Sequence, residues 1–184
     1  MLDPNQRTVS KQGLKFVLKA LGIAIVIMVL FGLLGFRVNL TGSYPVGIWR
    51  KSGKTPEKGD LVLFNLPFTP LASLAYERGY IRAGYPDGYA PLMKCLAAVP
   101  GDVVTVTNRI VINGKEWPNG EIFTTDSKGR EVRSLATSGP VQEGQCWLLS
   151  DYNARSFDSR YFGPVPLSHI LGVMHPIIVW DSSR

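Results

Sequence analysis

The sequence predicts a mainly β domain preceded by one N-terminal transmembrane helix. Three observations carry that reading. Residues 20–36 form an uncharged, apolar run. Beyond residue 37 the apolar segments are short, and 15 of the chain's 19 glycines and 12 of its 13 prolines punctuate them. Helical periodicity is weak throughout that second part. Many short strands with few helices imply a barrel or a pair of coiled antiparallel sheets.

Composition narrows the function classes. A chain of 184 residues is long enough for one domain with a real core. With 45% hydrophobic and 18% charged residues, a disordered chain is excluded. Two cysteines without a CxxC exclude a disulfide scaffold, and two histidines give no metal-ligand pattern, so neither metal nor cofactor is expected. The net charge of +6 would suit a nucleic-acid binder. However, Arg7, Lys11, Lys15 and Lys19 against Asp3 place +3 of it in the first 19 residues, just before the apolar run. That position predicts a membrane as partner, and no nucleic acid.

The elements follow in order. The apolar run of 17 residues meets the lower limit for a bilayer span, which needs about 17–20. Residues 14–18 extend it backwards, and Lys15 and Lys19 can snorkel to the headgroups. No A-x-A site follows, so residues 14–36 read as a retained signal anchor, not a cleaved leader. The basic flank puts residues 1–13 in the cytoplasm and 37–184 outside it, in the periplasm; Arg37, Arg50 and Lys51 do not reverse the asymmetry. Strands are predicted at 47–50, 60–64, 92–98, 103–107, 109–112, 145–149 and 172–179. Asn108-Arg109 reads as a hairpin turn, and Asn113-Gly114 as a strong one. Only residues 71–78, with Pro70 near their start, read as helix. Residues 66–91 and 115–144 read as excursions from the β core. The apolar segments 61–68 and 85–93 serve either lipid docking or core packing.

Some motifs carry only structural meaning. Gly53-Lys54-Thr55 lacks the upstream glycine of a phosphate-binding loop, and Pro56 prevents the following helix. Asn39-Leu40-Thr41 fits a glycosylation sequon by pattern alone. Lys58-Gly59-Asp60 and Pro100-Gly101-Asp102 are turns entering strands. His169 and His175 read as structural. Cys95 and Cys146 lie in apolar strands, where a disulfide and two free buried thiols are both open.

Two residues stand out. Ser43 lies in Thr41-Gly42-Ser43-Tyr44-Pro45-Val46-Gly47, either a plain turn or a nucleophile loop. Lys94 interrupts the apolar run 92–98. It is either an edge-strand gatekeeper or a buried amine whose pKa falls on desolvation, which would make it a general base.

In sequence order, the anchor, Ser43-x-Pro45, the Gly59–Phe64 GDLVLF, Lys94 before Pro100-Gly101-Asp102, and SDYNARSFDSRYFG at 150–163 resemble the type I signal peptidase family, the membrane-anchored Ser/Lys leader peptidases. The chain is more similar to the TraF-type branch, the conjugative-transfer peptidases that process a pilin precursor. Ser43-Tyr44-Pro45-Val46-Gly47-Ile48-Trp49 and Trp147-Leu148-Leu149-Ser150-Asp151 carry that likeness. General leader peptidases instead have Ser-Met-x-Pro-Thr, a basic residue where Cys95 follows Lys94, and Gly-Asp-Asn at Ser150-Asp151-Tyr152.

The resemblance implies a signal-peptidase-like coiled antiparallel sheet. It implies Ser43 as nucleophile, Lys94 as general base, and Asp158 among the functional residues. Ser156 would hydrogen-bond the lysine, Arg160 would pair with Asp158, and Thr41 would offer a hydroxyl to the oxyanion beside the Ser43 N–H. The implied substrate is a membrane-inserted pilin-like precursor, cut beside a conjugative secretion apparatus at the bacterial inner membrane. Cyclisation by aminolysis of the acyl-enzyme is compatible with this chemistry. The alternatives are a general peptidase acting on leader-bearing preproteins, and a non-catalytic tethered β domain.

Overall fold

A computed structural model describes residues 11–84 and 88–180. Residues 1–10 of the expected cytoplasmic stretch, 85–87 of the 66–91 excursion, and 181–184 lie outside it. The chain opens with α1 (Lys11–Leu33), of which Gln12–Leu33 is long and apolar enough to cross a membrane. None of that window is buried against protein. The helix ends three residues before the expected boundary at Phe36. Gly35 takes a φ of 81°, and Phe36 already pairs with Arg50.

The remaining elements are β1 (Phe36–Asn39), β2 (Gly47–Ser52), β3 (Leu61–Phe64), α2 (Pro70–Glu77), β4 (Leu92–Ala98), β5 (Val103–Val106), β6 (Arg109–Ile112), β7 (Lys115–Glu121), β8 (Gly139–Pro140), β9 (Gln145–Leu149), α3 (Ser159–Phe162), β10 (Val165–Pro166) and β11 (Ile170–Val179). They form a seven-stranded antiparallel sheet in the order β1-β2-β11-β3-β4-β9-β10, and a four-stranded sheet in the order β7-β6-β5-β8. The mainly β expectation holds.

Local chemistry explains the punctuation. Thr69 caps α2 by accepting from the Ala72 N–H at 3.1 Å, and Pro70 supplies a first-turn φ without needing a hydrogen-bond acceptor. Asn113 and Gly114 both take positive φ, 51° and 79°, the signature of a type I′ hairpin turn between β6 and β7. The β5–β6 turn is Thr107-Asn108, one residue earlier than expected, because Arg109 is already paired with Glu121. Asp102 accepts from the Val99 N–H, Asn113 and Lys58, so the Gly-Asp turn is a brace between loops.

Three clusters form the core. Val62, Phe64, Leu96, Leu148 and Val173 pack beneath Ala72 and Ala75 of α2. Ala97, Val104, Ile110 and Trp147 join the two sheets. Tyr44, Trp49, Leu63, Met93 and Met174 cover the other face of β3 and β4. The 61–64 part of the segment offered for lipid docking is therefore core strand, whereas Phe68 is 72% exposed. Cys95 pairs with Leu149, three residues along β9 from Cys146. At about 3.3 Å per residue that offset is roughly 10 Å, beyond the Cα reach of a disulfide. Both thiols are free and buried, and burial pushes each up to about 12.

Candidate active site

The loop between β1 and β2 carries Ser43 near its midpoint, with Asn39 opposite Gly47 at its base. Gly47 is required by space, because a Cβ there would lie 2.3 Å from the Ile178 carbonyl oxygen. Ser43 is half-buried, and the following Tyr44 is buried in the core. The loop is gripped from the segment after β9. Ser150 Oγ donates to the Ser43 carbonyl at 2.8 Å, and Asn153 Nδ2 donates to the Gly42 carbonyl at 2.8 Å. Tyr44 OH donates to Asp151 Oδ1 at 2.7 Å. Burial and that bond raise the Tyr44 pKa above its usual value.

Lys94 lies on β4, opposite Val62 of β3, and is 2% exposed. β4 is flanked by β3 and β9, so this is no edge strand. Burial lowers the amine to about 8; Asp158 pulls it up and Arg160 pushes it further down. The Lys94 amine donates to no other described residue, and its side chain lines a cavity.

Ser43 and Lys94 line one cavity of about 300 Å³, with Leu40, Met93 and Met174 among its walls. Ser43 also lines a second cavity of about 430 Å³, with Thr41, Ser156, Tyr80, Phe123 and Arg155. The two share Leu40, Tyr80, Ile81 and Pro91 and form one cleft with Ser43 in its wall.

The other expected residues divide between the cleft and its backing. Ser156 Oγ lies 3.4 Å from Ser43 Oγ, and it makes no bond to Lys94 among the described residues. Thr41 Oγ1 donates to Asn39 Oδ1 at 2.7 Å. Asp158 and Arg160 are fully buried behind the cleft. Asp158 caps α3 and accepts from Arg160 Nε at 2.8 Å, while its second oxygen accepts from the Ser150 N–H at 3.0 Å. The Arg160 guanidinium also donates to the carbonyls of Asn119, Glu121, Ala154 and Ser150. This one ion pair ties β7 and the 150–160 segment to the residue that holds Ser43.

Asn39, Ser150 and Asn153 emerge only in three dimensions. Ser150 and Asn153 lie inside the polar segment already singled out, and Ser150 stands where general leader peptidases have glycine. Asn39 was visible only as part of a sequon.

Coiled antiparallel sheets behind an apolar N-terminal helix, with a half-buried serine lining a cleft, suit a membrane-associated serine peptidase. The family model for signal peptidase, peptidase S26, matches residues 11–180, and the chain belongs to that family. It is 40% identical to the conjugal transfer protein TraF of Agrobacterium fabrum, over 90% of this chain and 97% of that one. It is 38% identical to the plasmid transfer protein TraF of Escherichia coli, over 90% of this chain and 96% of that one. A solved signal peptidase I from Enterococcus faecalis V583 is 26% identical, with a TM-score of 0.39, covering 66% of this chain and 98% of that one.

Proposed function

We propose that this chain is a Ser/Lys endopeptidase, anchored in the bacterial inner membrane with its β domain in the periplasm, that matures a pilin-like precursor for conjugative transfer. The observation that carries the chemistry is Lys94: buried, without a hydrogen-bond partner among the described residues, lowered to about 8, and lining the same cavity as Ser43. The conjugal and plasmid transfer proteins among its relatives support the biological setting.

Neutral Lys94 takes the Ser43 hydroxyl proton as Oγ attacks the carbonyl carbon of the scissile peptide. The carbonyl π pair moves to oxygen. The tetrahedral adduct collapses, the C–N bond breaks, and Lys94 returns its proton to the leaving amine. Neutral Lys94 then takes a proton from water or, in cyclisation, from the amine at the other end of the product as it attacks the ester carbonyl; the C–Oγ bond breaks and Lys94 returns the proton to Ser43 Oγ. Asp158 and Arg160 position the site through Ser150 and bias the charge on Lys94.

The test is coexpression with the pilin precursor of the same conjugative element, followed by intact masses of that precursor, with Ser43→Ala as the blank. A Ser43-dependent truncated product is the expected result. A product one water lighter than the linear fragment identifies cyclisation. An intact precursor in both samples overturns the pilin assignment. Loss of leaders from many exported proteins would favour general preprotein processing.

A further inference from the structure

We infer that Asn39 is a positioning residue for catalysis: it holds the 41–45 turn so that the main-chain N–H groups of Gly42 and Ser43 face the cleft and receive the oxyanion. This rests on Ser43 being the nucleophile, as proposed above.

Asn39 closes β1, half-buried, and its side chain turns into the loop it precedes. Its Nδ2 donates to the carbonyls of Thr41 at 3.2 Å, Tyr44 at 3.0 Å and Pro45 at 3.0 Å. Its Oδ1 accepts from the Thr41 N–H at 3.1 Å and the Thr41 hydroxyl at 2.7 Å. The amide orientation is fixed by these neighbours: an N–H needs the oxygen, and carbonyls need the nitrogen. The carbonyls of Gly42 and Ser43 are held from the other side, by Asn153 and Ser150. Every carbonyl from 41 to 45 is therefore bound by a side chain.

A trans peptide sets its C=O and N–H antiparallel. A carbonyl drawn into the protein turns the next residue's N–H the opposite way. Among the described residues, the N–H groups of Gly42 and Ser43 have no hydrogen-bond partner, and both residues line the cleft. Two successive free N–H groups form a concavity suited to an anion. The Thr41 hydroxyl, in contrast, spends its proton on Asn39. The family resemblance gave the oxyanion to the Ser43 N–H and the Thr41 hydroxyl; here the Gly42 N–H takes the place of that hydroxyl, and Asn39 becomes the residue that sets both main-chain donors.

Asn39→Asp keeps size and acceptor, removes the donor, and sets a charge against the three carbonyls. On the precursor, kcat falls about 10²-fold, the scale of losing an oxyanion donor. KM stays within about twofold, and in the uncharged variant Asn39→Ala the pH midpoint set by Lys94 does not move, whereas the Asn39→Asp carboxylate in the shared cavity raises it. A peptide aldehyde copying the residues ahead of the cut bond adds to Ser43 as a hemiacetal; its affinity falls by the same factor as kcat. Thr41→Val, which removes a single bond of the network, costs less than Asn39→Asp. Asn39→Ala, without the added charge, carries the same measurements if the aspartate variant does not fold.

A fall in kcat with unchanged aldehyde affinity overturns the assignment. So does a shifted pH midpoint in Asn39→Ala, or a Thr41→Val loss exceeding that of Asn39→Asp. If wild type cuts and binds normally and both Asn39 variants match it, only this assignment falls. If wild type neither cuts precursor nor binds aldehyde, the peptidase reading falls and takes this one with it.

Discussion

Replacing Lys94 with Met is expected to give a protein that is inactive and more stable. An ordinary lysine titrates near 10.5, whereas Lys94 is held at about 8 by its burial. At pH 7 that change raises the neutral fraction from roughly 3 in 10⁴ to about one in ten. The same displacement costs the native state about 3 kcal/mol wherever the amine is charged. Between the two values the unfolded chain binds more protons than the native one, so wild-type stability rises with pH across that window. The burial cost is complete below about pH 8 and gone above 10.5. Methionine fills a similar volume with no charge to desolvate. At pH 6 the variant is expected to melt roughly 6–12 °C higher, from about 2–4 °C per kcal/mol in a domain of this size. The gap closes by pH 10.5. Thermal unfolding in detergent at pH 6, 8 and 10 measures this, beside precursor cleavage by wild type, which is expected to rise tenfold per pH unit and level above about pH 8. A Met variant no more stable than wild type at pH 6, or a gap that ignores pH, refutes the reasoning.

Other expectations follow from single contacts. Arg160→Met leaves the buried Asp158 carboxylate and the carbonyls of Ser150, Ala154 and Asn119 without their donor; urea unfolding is expected to show a loss of about 3–5 kcal/mol, typical of removing one partner of a buried pair. Gly47→Ala drives a methyl into the Ile178 carbonyl and is expected to lower the melting temperature and loosen the end of β11, as read by amide exchange of residues 178–180. Without reductant, maleimide labelling is expected to find no reactive thiol in the native protein and both Cys95 and Cys146 after unfolding. A chain without free thiols in denaturant contradicts the register of β4 and β9.

How much was legible depends on how local the cause is. Strands β4, β6 and β9 match their expected bounds because continuous apolar runs sit between turn residues. Lys94 is conspicuous for the same reason. β1 was missed because Phe36-Arg37-Val38-Asn39 follows the apolar run without punctuation, and only pairing with β2 makes it a strand. β7 contains Pro118 and Gly120, poor strand formers, and owes its place to the Asn113-Gly114 turn and to Arg109 facing Glu121. The approach of Ser156 to Ser43 spans 113 positions, which spacing alone does not reveal. Asn39 acts through a turn whose shape its own side chain creates, so its role appears only with the backbone in view.

The joint between helix and sheet has a mechanical consequence. α1 ends at Leu33 and β1 begins at Phe36. The joint is stiffened by the Phe31–Phe36 ring stack at 4.9 Å, and by Arg37, which donates to the Gly32 and Phe36 carbonyls. With α1 across a bilayer, Ser43 stands at a set height, ten residues along the chain from the helix end at Leu33. Such a protein works as a depth gauge: it drifts in the plane of the lipid and meets bonds held at one level. A bond's distance from the bilayer then becomes a selection rule alongside its sequence, and the same bond on a freely diffusing peptide is a poorer target.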